Sequence, residues 1–440
     1  MKKIFSGLNT PGKERGKRNR VWYPYTRMKD PALFPCISSG SGARLTDTRG
    51  KEYIDAISSW WTNTHGHCHP HISEMIAKQV TRLDHVIFAG YTHMPAEILA
   101  ERLIKKLPAG QEKIFFSDDG STAVEVALKM AVNYWYNRNK PRWKFIAFLG
   151  GYHGDTFGAM SVSHRGIFTR PFNPLLFNAV FIDAPVKGKE ERCINRMKSI
   201  LSGKSSGIAA FIFEPLVQGA GGMVMYEPEP LNELLRLCRN KGVITIADEV
   251  MTGFGRSGKF FAVDYLREKP DIMCLSKGLT GGAMAMGITS CNGKIFNAFL
   301  SDDPAKTFFH GHSYTANPVA CSAAIASLDM MDRQRTWKKI AIITKKNAAF
   351  AVKISGHKSI KDARSRGTIL AIEVRTGNKT GYLNPFRDYA IRWFRKKGIL
   401  IRPLGNVLYI MPPFCIESKD LQHVYGSIER FLDNHERLTG

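Results

Sequence analysis

Short, largely apolar runs alternate along the chain with longer stretches in which apolar residues recur every three or four positions. Residues 113–116 (KIFF), 145–149, 209–213, 243–247 and 272–275 are such runs. They are short and do not alternate apolar with polar residues, which predicts strands buried on both faces. Residues 123–136 (AVEVALKMAVNYWY) are apolar nearly all round and predict a buried helix. Residues 231–240 (LNELLRLCRN) predict a helix leading straight into the run at 243. Strands and helices in this alternation predict an α/β fold whose central sheet is mostly parallel and covered on both sides. In such sheets ligands gather beyond the carboxyl ends of the strands.

The last third has another texture. Residues 337–353 are basic and amphipathic, and 419–432 are helical in pattern, with Ser418 placed as an N-cap. Between them, 368–374, 400–403 and 407–410 read as short strands. The pattern predicts a smaller α+β domain. GARLTDTRGKEYID predicts a hairpin turning at residues 48–50 that joins it. The expected division is an N-terminal segment, 1–65, attached to the small domain, a large domain over 66–335, and the small domain over 336–440.

Composition narrows the field. The 440 residues are 44% hydrophobic and 23% charged, which is globular and leaves ample core. No run approaches ~18 apolar residues, so neither a membrane span nor a membrane partner is expected. The basic start has no apolar stretch of roughly 7–15 residues behind it, so export is not expected and a cytoplasmic location is. Eight cysteines, no two spaced as C-x-x-C, read as reduced thiols. The net charge of +25, from 63 Lys and Arg against 38 Asp and Glu, raises a polyanion partner. The charge is spread, however, with its densest cluster at 13–20, and no nucleic-acid module accompanies it. No nucleic-acid partner is expected.

Chemistry is sought just past each strand. After KIFF comes SDDGST and then the buried helix, so Gly120 and Ser121 stand at a helix start that can hold a phosphate or merely carry an N-cap. After 243–247 comes Asp248, a carboxylate too costly to bury alone. After 272–275 comes Lys277, facing the same crevice. Burial beside other charges can turn such a lysine into a usable amine for Schiff-base chemistry; a structural Lys277–Asp248 ion pair is the alternative. Tyr152 follows the 145–149 run and can stack on a flat ring or simply pack. Trp60 sits in an aromatic patch, and Arg402 can fork onto a carboxylate. The run G-F-G-R-S-G-K at 253–259 imitates two nucleotide loops, but Phe260 stands where a P-loop needs Ser or Thr, and five residues separate it from the strand. His65, His67, Cys68, His69 and His71 imitate a metal cluster but lack a distant partner pair, and no metal is expected.

Taken together, WYPYT, SSWW, HGHCHP, DDGSTAVEVALKMA, GYHGDTFGAMSV, EPLVQGAGGM, IADEVMTGFGRSGK, LSKGLTGG, HGHSYTANP and IRPLG resemble the class III, fold-type I aminotransferases that use pyridoxal 5′-phosphate. The resemblance runs from about residue 21 to the C-terminal region. It implies that Lys277 attaches to the cofactor aldehyde and then moves protons, and that Asp248 pairs with the ring nitrogen. Gly120 and Ser121 hold the phosphate and Tyr152 lies on the ring. Tyr25 and Trp60 line the substrate pocket, Tyr25 counted with the catalytic groups, and Arg402 takes a substrate carboxylate. Gly311, His312 and Ser313 approach the cofactor and substrate of a partner subunit, which implies a homodimer with its sites at the interface. SSWW and GYHGDTFGAMSV point to the branch that aminates 8-amino-7-oxononanoate (7-keto-8-aminopelargonate) in biotin synthesis, with S-adenosylmethionine as donor. Some relatives have Pro-Thr where His312-Ser313 stands; Ser313 keeps the hydroxyl, while lysine stays open as an alternative donor. Another class III aminotransferase of ω-amino acids, ornithine or lysine, and a non-catalytic polyanion binder, are the alternatives.

Overall fold

The computed structural model describes residues 20–29, 34–203, 207–377 and 380–439. Residues 13–19 of the basic cluster lie outside them. The chain enters through an antiparallel meander of β1 (Ile37–Ser41), β2 (Arg44–Asp47) and β3 (Glu52–Asp55). The turn between β2 and β3 falls where the sequence places it. Gly50 sits at φ 80° and donates its N–H to the Asp47 carbonyl at 3.0 Å. That left-handed conformation is one glycine adopts without steric cost.

The centre is a seven-stranded sheet. Its members are β4 (Gln111–Ser117), β5 (Lys144–Phe148), β6 (Ala179–Ile182) and β7 (Ile208–Phe213), then, after the small hairpin of β8 (Val217–Gln218) and β9 (Val224–Met225), β10 (Ile244–Asp248), β11 (Ile272–Leu275) and β12 (Gly287–Asn292). The order is β4-β12-β11-β10-β7-β5-β6, with β12 antiparallel to both neighbours and the other pairings parallel. The helix Gly120–Asn137 packs Ala123, Val126, Ala127 and Ala131 against the sheet with no exposure left.

β12 is absent from the sequence reading because GITSCN is neither apolar nor alternating. It is buried all the same, since its hydroxyls are satisfied inside: Thr289 donates to the Ala123 carbonyl at 2.7 Å and Ser290 to Gln111 Oε1 at 2.7 Å. β6 (AVFI), as short and apolar as β11, was not among the runs read.

The C-terminal part adds β13 (Ile360–Arg366), β14 (Ile369–Val374), β15 (Ile399–Leu400) and β16 (Val407–Ile410). β13, β14 and β16 form an antiparallel sheet, while β15 pairs in parallel with β3, Leu400 opposite Asp55. The strand read at 400–403 therefore stops at Leu400, leaving Arg402 in the following loop. Helices Gln334–Ile354 and Ser418–Thr439 cover the antiparallel sheet, with Phe350 stacked on Tyr425 at 4.2 Å. Ser418 does not act as the expected cap. It is already the first helical residue, and its hydroxyl accepts from Lys346 Nζ at 2.8 Å.

One close approach couples sheet and loop. A Cβ on Gly287 would lie 2.1 Å from the Asp119 carbonyl oxygen and 2.6 Å from Ser117 Oγ. Gly287→Ala should lower stability by about 1–3 kcal/mol, the usual cost of overpacking. A fall in the urea midpoint at unchanged m-value checks it.

Candidate active site

The carboxyl ends of β5, β7, β10 and β11 and the start of the Gly120–Asn137 helix converge on one cavity of about 350 Å³. Eight sequence-derived residues line it: Tyr25, Trp60, Gly120, Ser121, Tyr152, Asp248, Lys277 and Arg402. The pairing of β10 with β11 sets its floor, because Asp248 stands opposite Cys274 and Lys277 follows three residues on. Lys277 opens a 3-10 turn at φ 46°, an uncommon conformation for a side-chain-bearing residue.

At the helix start Asp119 accepts the Thr122 N–H at 2.8 Å. The N–H groups of Gly120 and Ser121 lie in the first helical turn and have no acceptor within the helix, with the positive end of the helix dipole behind them. A Cβ at Gly154 would strike Ser121 Oγ at 2.2 Å, so this loop closes on the helix start only as glycine.

Asp248 is 5% exposed and held on both oxygens: His153 Nδ1 lies 2.7 Å from Oδ2, and the Val250 N–H donates to Oδ1 at 3.1 Å. Glu214, at the end of β7, accepts the N–H of Tyr152 at 3.0 Å and of Gly219 at 2.8 Å. Burial pushes Glu214 up to about 7. Burial pushes Lys277 down to about 8, against the pull of Asp248 and Glu214. Its Nζ sits 4.5 Å from the centre of the Trp61 ring. Among the described residues it has no ion-pair partner, so the structural Lys277–Asp248 pair does not form.

At the mouth, the Tyr25 hydroxyl donates to Asp155 and lies 3.4 Å from the Tyr152 hydroxyl. Burial and Asp155 push the Tyr25 phenol well up. The Arg402 guanidinium lies 5.3 Å from the centre of the Trp60 ring and donates to the Tyr25 carbonyl at 3.3 Å and the Tyr382 hydroxyl at 3.4 Å. It is only partly buried and has no carboxylate partner among the described residues. Gly311, His312 and Ser313 are not brought into this cavity. They lie on a largely exposed loop, where His312 Nδ1 is 3.4 Å from Asp118.

The site thus offers a helix start for an anion, the Tyr152 ring, a clamped carboxylate, an amine without an ion-pair partner and a guanidinium without a carboxylate partner among the described residues. That donor set fits pyridoxal 5′-phosphate, with a phosphate for the helix start, a basic ring nitrogen for Asp248 and an aldehyde for the amine.

The comparisons with known proteins agree. Residues 25–432 match the family of class-III aminotransferases. The chain belongs to that family. An adenosylmethionine-8-amino-7-oxononanoate aminotransferase of Synechococcus elongatus is 46% identical over 424 residues, covering 94% of this chain and 98% of the relative. The crystal structure of the Methanocaldococcus jannaschii enzyme of the same name superposes with a TM-score of 0.88 at 35% identity, over 93% of this chain and 97% of that one. A PLP-bound amine transaminase from an uncultivated Pseudomonas species gives 0.88 at 29% identity, over 94% and 98%.

This class-III aminotransferase carries site residues that the sequence reading left without a role. His153 and Glu214 each follow or neighbour a named strand end, so position alone could have found them. Asp55 could not be found that way. It ends β3, is fully buried, and accepts from the N–H groups of Ile57 (3.2 Å) and Ser59 (2.9 Å), from Ser59 Oγ (3.0 Å) and from His67 Nε2 (2.8 Å). These bonds hold a strained segment: Ser58, Ser59 and Trp61 all have φ between 51° and 69°. Ser58 Oγ donates to the Met411 carbonyl at 2.8 Å, and Arg256 reaches the Trp61 carbonyl at 3.4 Å. Such conformations persist only where the surroundings over-determine them. The histidine run dissolves into separate contacts. His67 serves Asp55, His65 meets Ser327 Oγ at 3.1 Å, and His71 meets Asp329 at 2.7 Å. The run at 253–259 makes tight turns that bury Arg256.

Two outcomes follow. Asp55→Ala should cost about 3–5 kcal/mol, as removal of one partner from a buried charged network does, and flatten the near-UV tryptophan dichroism. Asp55→Asn keeps an acceptor and should cost less; urea unfolding compares them. In cofactor-free protein at pH 7, Lys277→Met should raise stability by on the order of 3 kcal/mol. The buried amine resists the proton that the unfolded chain binds, so the penalty is full below about 8 and disappears above the ordinary 10.5. Melting curves from pH 7 to 10.5 should therefore converge.

Proposed function

We propose that this protein transfers an amino group from S-adenosylmethionine to 8-amino-7-oxononanoate, giving 7,8-diaminononanoate for biotin synthesis, with pyridoxal 5′-phosphate as cofactor. The observation that carries the reading is the meeting in one cavity of Lys277 and clamped Asp248 with Arg402, which has no carboxylate partner among the described residues. The names of the relatives supply the substrates. When bound, the cofactor supplies an aldehyde for the amino group and a ring that spreads the electrons released at the neighbouring carbon.

The chain's own residues do the rest. Gly120 and Ser121 donate their N–H groups to the phosphate. Asp248, fixed by His153 and Val250, would accept from a protonated ring nitrogen of the cofactor and favour that charge. Tyr152, anchored through its N–H to Glu214, would pack against the ring. Lys277, with its depressed proton affinity, takes a proton from the amine-bearing carbon of the donor and returns one on the acceptor side; an amine near 8 suits both directions at neutral pH. Arg402 takes the substrate carboxylate in a two-pronged contact. Tyr25 and Trp60 close the mouth over the reacting carbon and keep water out.

The same reading makes the protein a homodimer in which Gly311, His312 and Ser313 serve the partner's site. Supporting it, Tyr136, Phe309 and Tyr314 leave 61%, 72% and 61% of their surface bare in the single chain. Among the described residues no helix is long and apolar enough to cross a membrane. The free thiols suit the reducing cytoplasm.

Lys277→Ala should abolish turnover and the visible absorption of the purified protein; a yellow, active variant would refute the assignment. Arg402→Ala should raise the acceptor KM at least about tenfold, the loss of one charge-assisted contact, while cofactor retention stays within about twofold. Steady-state kinetics and dialysis against buffer measure the two.

A further inference from the structure

Two buried polar side chains beside the lysine turn have no part in the chemistry described above. His65 is 5% exposed, and Ser327, on the helix Pro318–Met331, is fully buried. The Ser327 hydroxyl donates to the Gly278 carbonyl at 3.2 Å and lies 3.1 Å from His65 Nε2. A hydroxyl has one proton to give, and the carbonyl takes it. His65 therefore carries its proton on Nε2 and donates to Ser327. Burial drives the proton affinity of His65 down to about 3, so the ring is neutral around pH 7 and the link from His65 through Ser327 to Gly278 stays intact there.

The residue at the end of the link is the one that follows Lys277. Lys277 itself has a φ of 46°, in the left-handed region, and such a conformation lasts only where neighbours fix it. Here the next peptide is fixed. Its carbonyl takes both the Ser327 hydroxyl and the Gly281 N–H, the latter at 3.0 Å. Its Cα is closed in, since a Cβ at Gly278 would lie 3.0 Å from Thr64 Cγ2 and 3.1 Å from Phe254 Cβ. Four residues on, a Cβ at Gly282 would lie 2.8 Å from backbone atoms of Thr62 and Asn63. The lysine turn thus sits flush on the segment that carries Trp60 and Trp61, and His65 belongs to that same segment.

Close packing of a glycine does not by itself set the direction of its peptide plane; a directional bond to the carbonyl does. With the plane turned, Lys277 could relax to an ordinary φ and swing its Cα–Cβ bond. Its amine now lies 4.5 Å from the centre of the Trp61 ring and pairs with neither Asp248 nor Glu214, although both carboxylates act on it. Released from its aim, so long and flexible a side chain would turn to one of them.

We propose that His65 and Ser327 are positioning residues for Lys277, aiming its amine through the Gly278 carbonyl and holding it apart from the carboxylates. The inference rests on the reading of Lys277 given above. Misplacing a reacting group by ~1 Å can cost on the order of 100-fold in rate.

Ser327→Ala removes the centre of the link. In the holoenzyme kcat should fall at least about tenfold, while both substrate KM values and cofactor retention stay within about twofold. In cofactor-free protein, carbamylation of Lys277 by cyanate, read by peptide mass mapping, should have its pH midpoint near 8 in the parent and at least about one pH unit higher in the variant, as the freed amine pairs with a carboxylate. His65→Leu should act like Ser327→Ala, whereas His65→Gln keeps an N–H donor and should hold kcat and midpoint near those of the parent. The two His65 variants decide the matter even where Ser327→Ala does not fold. Ile343→Ala, in the core of the small domain, loses stability without touching the link and should move neither quantity. A midpoint that stays near 8 in Ser327→Ala and His65→Leu overturns the link. So does a loss of kcat that His65→Gln or Ile343→Ala shares, or one that comes only with rising KM. A midpoint that moves as expected, in a protein that does not aminate 8-amino-7-oxononanoate, upholds the link and sinks the proposed function instead.

Discussion

One hydrogen-bonded register governs the site: Asp248 at the end of β10 lies opposite Cys274 of β11. Successive strand residues point to opposite faces, so a slip of one position would turn Asp248 away from the cavity. The register is held from both sides, by the Ile246–Ile272 and Ala247–Met273 pairings and by β7 on the other edge of β10, where Ala247 stands opposite Phe213. Those partners are all fully buried, so a slip would also expose apolar surface. The hydrophobic core thus fixes the placement of Asp248 at the cavity floor, three residues of β11 register from Lys277.

Burial exacts its own cost there. Glu214, Asp248, Lys277 and Arg256 are charged or chargeable groups withdrawn from water. The structure satisfies them unevenly. The carboxylates are fully dressed by backbone N–H groups and His153, whereas Lys277 has only a ring face. An amine left unsatisfied among oriented carboxylates is poised to react, because bonding to a ligand relieves a desolvation that the fold imposes. Arg256 sharpens this. Its own guanidinium is driven down to about 9, its Nε finds no partner among the described residues, and its charge further disfavours a proton on Lys277.

How much of this the sequence disclosed follows from which signals are local. Lys277, Asp248, Tyr152 and Gly120–Ser121 were legible because each directly follows an apolar run, and strand ends are where a parallel sheet keeps its ligands. Arg402 was legible as a candidate only, since its neighbours Trp60 and Tyr25 lie hundreds of residues away in the chain, and the β3–β15 pairing that brings Trp60 near it is not local. β12 and β13 were hidden for opposite reasons. GITSCN buries hydroxyls that a hydropathy pattern counts as exposed. IKDARSR carries charges that pair with one another and with Glu373 of the neighbouring β14. The histidine run suggested metal because the spacing of ligands is visible in a sequence, while the carboxylate that claims His67, Asp55, is not.

Asp55 also joins the two halves of the mouth. Its backbone pairs with Leu400, two residues before Arg402, and its side chain holds the turn that carries Trp60 and Trp61. Arg402 and Trp60 therefore meet because both are referred to one residue, not because either attracts the other strongly: an exposed cation–ring contact contributes only about 0.5–1 kcal/mol. Three residues in left-handed conformations would relax if that reference were lost, and the arginine would lose its stacking partner with them. The strain is therefore part of how the site is assembled. It lets a turn too tight for a helix place two indoles apart, Trp61 with its ring centre 4.5 Å from the Lys277 amine and Trp60 with its ring centre 5.3 Å from the Arg402 guanidinium.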